Sequence, residues 1–334
     1  LNRPVDPQEM LYGAIQGMVS SLGDPYTSYL PPEINENLND QLEGRYQGIG
    51  AELGQKDNQL IIVAPLDGSP AKAIGLLPQD KILAIEDEPT IGMSITEAVA
   101  KIRGEAGTNI KLRIQTGSNE PRDVTIRRDV IKVKSVTWED KGEGTAYIRI
   151  SRFGGETNKE WDTVINELSV GMRELDAVIL DVRGNPGGYM MSAAHIAGEF
   201  YGGKPVLYQE DAAGKQIPLN TDRAGSLKDV PLVFVLIDQG SASASEILAA
   251  ALKSQIEAKL VGAKSFGKGT IQDAREFSDG SGVHITIAKW LTPDKEWVHD
   301  KGIEPDVYVE ITEEDIINGV DPQLDAALEL SKEL

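Results

Sequence analysis

The chain has 334 residues, with 53 Asp and Glu against 33 Lys and Arg for a formal net charge of −20, three His and no Cys. The missing sulfur excludes disulfide frameworks, zinc–thiolate sites, iron–sulfur clusters and thiol proteases. The acidic balance, whose longest basic run is Arg127–Arg128, argues against nucleic acid or an anionic membrane as partner, because both are bound through basic stripes.

At roughly 100–200 residues per domain, the length predicts two or three domains. No stretch approaches the roughly 18 apolar residues of a membrane span. The chain begins at Leu1 and not at Met, which leaves room for an upstream signal or membrane anchor.

Asp6–Pro7, a cap followed by a proline at the first helical position, precedes Leu11, Ile15, Met18 and Val19 at helical spacing and predicts an opening amphipathic helix. Asp24–Pro25 and Pro31–Pro32 read as its end. Ile34, Leu38 and Leu42 predict a short second helix that stops at Gly44. Between Arg45 and Arg128 the texture becomes short strands, at Ile49 to Leu53, Leu60 to Ala64, Lys81 to Ile85, Ile110 to Gln115 and Val124 to Arg128, with helical patches at Ser69 to Ala73 and Ser94 to Ile102. This predicts a compact β-rich domain over 45–130.

Beyond it, over 131–310, strands at Ala146 to Ile150, Ala177 to Leu180, Leu232 to Ile237, Lys259 to Gly262 and Val283 to Ala288 alternate with helices at Trp161 to Leu168, Met190 to Phe200 and Ser245 to Leu252. That is the pattern of a layered α/β core. Segments 1–44 and 311–334 are read as helical ends, the last an amphipathic helix over Asp321 to Leu334. The apolar faces of these terminal helices point to a homodimer, with packing back on their own core as the alternative.

The densest chemistry follows the apolar run 231–238. Gln239-Gly-Ser-Ala-Ser-Ala-Ser-Glu-Ile247 breaks a buried strand at Gly240 and enters a helix, so helical N–H groups and their positive dipole end converge on the serines. A serine there can be a nucleophile beside an oxyanion hole. Ser243-Ala-Ser-Glu246 also reads as a capping box, and the two roles are compatible.

A serine needs a base. His195, His284 or His299 could each reach it from a distance, so a Ser/His/Asp triad stays open without local support, and Lys268 in Ser265-Phe-Gly-Lys-Gly-Thr270 is the other option. Burial against Phe266 and neighbouring apolar chains would lower its pKa and supply the neutral amine that a base requires. Gly262 to Lys268 also fits a phosphate-loop spacing. Gly269 follows where a hydroxyl is wanted, however, and the chain from Ile271 reads as strand and not helix.

Together, Gly240-Ser-Ala-Ser-Ala-Ser-Glu-Ile247 and Phe266-Gly-Lys-Gly-Thr-Ile-Gln272 resemble the carboxy-terminal processing proteases, the tail-specific, PDZ-containing serine peptidases. The resemblance implies Ser243 as nucleophile, Lys268 as base and Gln272 as the residue that orients the lysine. Leu180-Asp-Val-Arg-Gly-Asn-Pro-Gly-Gly188 is similar to the family's oxyanion segment, which implies amides of Gly187 or Gly188 together with Ala244. Tyr46 to Leu53 and Ser69 to Ile82 are similar to a PDZ module, implying Ile49, Gly50 and Ala51 as donors to a peptide's terminal carboxylate. Gln79 stands where that module usually has glycine.

The implied fold is a ClpP/crotonase-like layered α/β serine protease core with a β-rich PDZ domain and N- and C-terminal helices. The implied activity is endopeptidase cleavage near apolar C-terminal tails of proteins or peptides, with no metal or cofactor, outside the cytoplasm at a bacterial envelope or thylakoid-like lumen. A noncatalytic PDZ scaffold and a histidine-based hydrolase are the rival readings.

Overall fold

The computed structural model describes residues 6–332 except 57, 58, 67, 173, 222 and 224, and leaves out the side chains of 96, 313, 316 and 317. The first five and last two residues of the expected terminal segments therefore lie outside the described residues. The chain divides into two compact units, Leu1–Glu43 with Lys134–Leu334, and Gly44–Val133.

In the Gly44–Val133 unit, the strands Ala51–Lys56, Gln59–Pro65, Lys81–Ile85, Asn109–Gln115 and Arg122–Arg127 lie side by side in that order, each antiparallel to its neighbour. Alternation drives the arrangement. Ile110, Leu112 and Ile114 are fully buried, and the residues between them face outward or lie partly covered, the period of a sheet with one wet face. The helix Ile95–Ile102 starts at a capping box between Ser94 and Glu97 and buries Ala98 and Ile102 in the same core.

The strand expected over Ile49 to Leu53 is broken. Arg45–Gly48 pairs with Asp129–Lys132, and the chain turns at Ile49–Gly50 before entering Ala51–Lys56. Gly50 has φ +70°, and a Cβ there would lie 2.8 Å from Ile131 Cδ1, so the turn requires glycine both for its conformation and for the space.

The larger unit is built on a six-stranded sheet in the order Val136–Asp140, Thr145–Ile150, Ala177–Asp181, Leu232–Ile237, Lys259–Gly262, Val307–Tyr308, parallel after its antiparallel first pair. Both faces are covered, which is why its central strands read as unbroken apolar runs. Val178 and Leu180 join one core with residues of the helices Thr157–Gly171, Met190–Phe200 and Ala244–Ile256. Ala177 and Ile179 join a second with Ala327 of the C-terminal helix Pro322–Leu330. A smaller antiparallel sheet runs Ser28–Leu30, Gly282–Leu291, Pro205–Glu210, Gln216–Asn220, with Thr270–Glu276 also paired to Gly282–Leu291.

Several elements depart from the sequence reading for identifiable reasons. Pro31–Pro32 starts the second helix, Pro32–Leu42, where a stop was expected, because proline is tolerated at the first helical position, where its missing N–H is not needed. The strands Ser28–Leu30 and Pro205–Glu210 are short and pair with Gly282–Leu291, far along the chain, and Gln216–Asn220 is mostly exposed and pairs with the nearby Pro205–Glu210. The C-terminal helix ends at Leu330, and a separate helix Glu313–Asn318 precedes it.

The two ends also differ in how they are covered. The C-terminal helix packs on its own sheet, the alternative that the sequence held open for the terminal helices. The helix Pro7–Ser20, capped by Asp6, buries none of its residues.

Candidate active site

Ala177–Asp181 and Leu232–Ile237 are parallel neighbours, so their carboxyl ends deliver the loops 182–189 and 238–243 to the same edge, where open α/β sheets place their ligands. The serines of the second loop divide the work. Ser241 and Ser245 are wholly buried, and their hydroxyls donate to Val182 O and Asn185 O, each at 2.9 Å, joining the two loops. Ser243 is partly exposed between them.

Its backbone, at φ 53° and ψ −113°, lies outside the left-handed helical well that a non-glycine residue with positive φ usually occupies. Such a conformation costs on the order of 1–3 kcal/mol and persists only where the surroundings over-determine it. Here Ser243 N donates to Glu246 Oε2 at 2.8 Å, Ala242 N to Asn185 O at 3.0 Å, and Ile247 N to Ser243 O at 2.9 Å. Ser243 and Glu246 form the capping box expected at this helix start, with Glu246 holding the Ser243 amide. The strand Leu232–Ile237 thus reaches the helix Ala244–Ile256 through the loop 238–243, with the strained serine as its last residue.

The facing loop separates the two glycines named from the sequence. Gly187 N already donates to Asn185 Oδ1 at 2.9 Å, and Asn185 Nδ2 is itself held by Ile150 O. Among the described residues neither Gly188 N nor Ala244 N donates a hydrogen bond. Gly187 contributes by its lack of a side chain. At φ +101°, a Cβ would lie 2.9 Å from Ser243 Cβ and 3.0 Å from Ala244 N, in the space before Ser243. Arg183 anchors the start of this loop, donating to both carboxylate oxygens of Asp181 and of Asp321.

Glu246 connects the two serine- and lysine-bearing turns. It is wholly buried, and its carboxylate accepts from Ser243 N and Lys268 N through Oε2 and from Ser265 Oγ and Gly267 N, both at 2.6 Å, through Oε1. The sequence reading saw only the third helical position of a capping box. The further partners lie about twenty residues on, and no local spacing announces them.

Lys268 is half buried, and Trp290 Nε1 donates to its carbonyl at 2.7 Å. Burial pushes its ammonium below the ordinary lysine range, against the charges of Asp24 and Glu246, which favour the ammonium. Phe266, expected to wall the lysine, is 55% exposed. Lys268 Nζ lies instead over the ring of Tyr26, 5.2 Å from its centroid, a residue to which the sequence reading gave no role. Gln272 Nε2 donates to Thr270 Oγ1 and Thr286 Oγ1 and makes no hydrogen bond to Lys268.

No histidine hydrogen-bonds Ser243. His195 pairs with Asp162 at 2.9 Å, His284 lies on the strand Gly282–Leu291 and His299 stacks on Trp297. From Thr270 the chain is strand, so no helix follows a phosphate loop. Among the described residues no cluster of His, Asp and Glu could hold a metal ion.

In the other unit, Ile49, Gly50 and Ala51 border a groove of about 230 Å³ with Leu53, Val99 and Ile102. Arg103 lies at its rim with its guanidinium 4.7 Å from the Tyr46 ring centroid. Among the described residues the amides of Ile49 and Gly50 donate no backbone hydrogen bond.

Comparison with known proteins agrees with this division. The sequence profile of peptidase family S41 matches residues 144–309, that of the PDZ domain 61–116, and that of the activating protease CtpB N-terminal domain 2–34. The carboxy-terminal processing proteases CtpA and CtpB of Bacillus subtilis (strain 168) are 39% and 40% identical over 92% and 91% of this chain, which spans 65% and 64% of their lengths. A photosystem II D1 C-terminal processing protease structure superposes with a TM-score of 0.55 at 25% identity, covering 92% of this chain and 84% of that one. An S41 protease structure from Bacteroides fragilis shares the fold, at a TM-score of 0.67 and 14% identity over 99% of this chain and 92% of that one. The chain belongs to peptidase family S41, in the PDZ-containing group whose members are named carboxy-terminal processing proteases.

Proposed function

We propose that the protein is a serine endopeptidase in which Ser243 attacks a peptide carbonyl, Lys268 is the base, and the Gly188 and Ala244 amides hold the oxyanion. The observation that carries this reading is the strained, partly exposed Ser243 at the helix start, beside two amides without acceptors. Neutral Lys268 takes the Ser243 proton as the Oγ–C bond forms, and the carbonyl π pair moves to oxygen between the two N–H groups. Collapse expels the amine, which takes the proton back from Lys268, and leaves an acyl-enzyme. Lysine then activates water to release the acid. Glu246 and Asn185 position these groups. Gln272 orients the lysine in this reading only if it exchanges its threonine partners for Lys268.

The PDZ unit captures apolar C-terminal tails of proteins or peptides as an added strand. Ile49, Gly50 and Ala51 meet the terminal carboxylate, and Leu53, Val99 and Ile102 meet the side chain. The exposed helix Pro7–Ser20, with Met10, Leu11 and Met18 each more than half exposed, pairs with a second copy of the chain. The protein acts outside the cytoplasm. Among the described residues no helix is long and apolar enough to cross a membrane.

The test is cleavage of an unstructured protein ending in a free apolar tail, with products followed by mass. Wild type should cleave, and Ser243→Ala and Lys268→Ala should not. Activity that survives in Lys268→Ala would move the base elsewhere. Tail binding without cleavage by wild type would favour the scaffold. Light scattering of wild type against Met18→Glu tests the dimer, and fractionation of cells expressing the full-length protein tests its location.

A further inference from the structure

We infer that Tyr26 is a positioning residue for Lys268, its ring fixing the direction of the ammonium and keeping water from it, so that the N-terminal segment completes the active site of the larger unit. This rests on the Ser243–Lys268 reading. Lys268 Nζ lies 5.2 Å from the Tyr26 ring centroid, within cation–π range. Behind it the Tyr26 ring meets His299 edge-on at 5.7 Å, His299 stacks on Trp297 at 4.9 Å, and Lys289 closes the file 4.6 Å from the Trp297 centroid. The Tyr26 hydroxyl makes no hydrogen bond among the described residues, so the ring is the part that the site uses.

The ring is held in place by sheet register. Ser28–Leu30 pairs with Gly282–Leu291, Ser28 opposite His284, and Thr286 N donates to Thr27 Oγ1 at 3.0 Å. Within the turn, Thr27 Oγ1 and Tyr26 N donate to the two oxygens of Asp24. Four groups with charge or titrating protons face Lys268. Asp24 and Tyr26 come from this turn, Glu246 from the helix Ala244–Ile256, and His284 from the strand Gly282–Leu291. Both carboxylates favour the ammonium, burial favours the amine, and burial prevails.

The ring acts on both sides of that balance, and substitution separates the two effects. Leucine keeps water out but removes the π face, so the amine is favoured. Alanine readmits water, so the ammonium is favoured. Phenylalanine keeps both properties.

The readout is the pH dependence of Ser243 labelling by an alkyl fluorophosphonate, with the modified residue identified by mass. The serine oxygen bonds to phosphorus, fluoride leaves, and the serine proton passes to Lys268, so the rate rises with pH through the lysine's pKa. The midpoint should fall by about half a unit or more in Tyr26→Leu and rise by about one unit in Tyr26→Ala. Tyr26→Phe should restore the wild-type midpoint.

Identical midpoints in all four proteins, with only the maximum rate changed, would overturn the role given to Tyr26 and leave the dyad standing. Labelling in Lys268→Ala as fast as in wild type, or none in wild type at any pH, would overturn the dyad itself. If Tyr26→Ala does not fold, Tyr26→Leu, which keeps most of the volume, decides alone.

Discussion

The turn at Gly50 and the turn at Ser243 present the same chemistry, backbone amides left without acceptors, but they reach a positive φ in opposite ways. At Gly50 the conformation is free of side-chain strain, and the neighbouring Ser69 and Ile131 fill the space that a Cβ would need. At Ser243 a side chain is retained against a cost, and a buried carboxylate on the helix holds the backbone in place. A loop that only binds can use glycine. Under the proposed mechanism the second loop must also deliver an oxygen and cannot use glycine, so the strain falls on Ser243.

The largest effects should come from breaking the second turn. Ser243→Ala should lower cleavage by at least about 10⁴-fold while leaving stability within about 0.5 kcal/mol, since the strain remains. Ser243→Gly should be equally inactive yet gain about 1 kcal/mol in denaturant unfolding, because glycine relaxes that φ. A Ser243→Gly protein no more stable than Ser243→Ala would remove strain from the account.

Next in size is a matched pair of glycine substitutions. Gly187→Ala, whose Cβ would press on Ser243, should cost about 10²-fold or more in kcat with tail binding intact. Gly50→Ala should do the reverse, weakening binding of a tail peptide about tenfold or more by calorimetry, at about 1–2 kcal/mol of backbone strain, with labelling of Ser243 unchanged.

Glu246→Gln probes what over-determines the turn. An amide NH₂ would face N–H donors where a carboxylate oxygen now accepts. Stability should fall by about 1–3 kcal/mol and kcat about ten- to a hundredfold, read by thermal unfolding and steady-state cleavage.

The smallest effect is expected at Gln79, which has φ +68° and stands where glycine is usual. Its N–H donates to Ile62 O, and its backbone strain serves no site that the structure shows. Gln79→Gly should therefore gain about 0.5–1 kcal/mol in urea unfolding with tail affinity unchanged. A loss would mean that its side chain holds the turn.

Much of the core was legible because its strands are buried on both faces and therefore read as unbroken apolar runs, as Leu232 to Ile237 does. The helix Met190–Phe200 has the bounds that its apolar spacing predicts. The strand Val136–Asp140 was not legible. Three of its five residues lie exposed at the sheet's edge, so its pattern resembles a loop.

In the site, residue types and turns were legible and partners were not. A glutamate three positions after a serine looks the same whether it caps a helix or ties two loops together. Tyr26 sits among prolines and polar residues that announce only a turn.

The sequence by itself determined the composition limits, the two textures of the chain, and the serine, lysine and glycine turns with the family they resemble, because periodicity and turn chemistry are local. Only the tertiary structure decided which serine stays partly exposed, that Gly188 and not Gly187 has an amide to offer, and that Tyr26 and not Phe266 covers the lysine. Each of these depends on a hydrogen bond or a close approach between segments far apart in the chain, and such contacts are set by sheet register and burial.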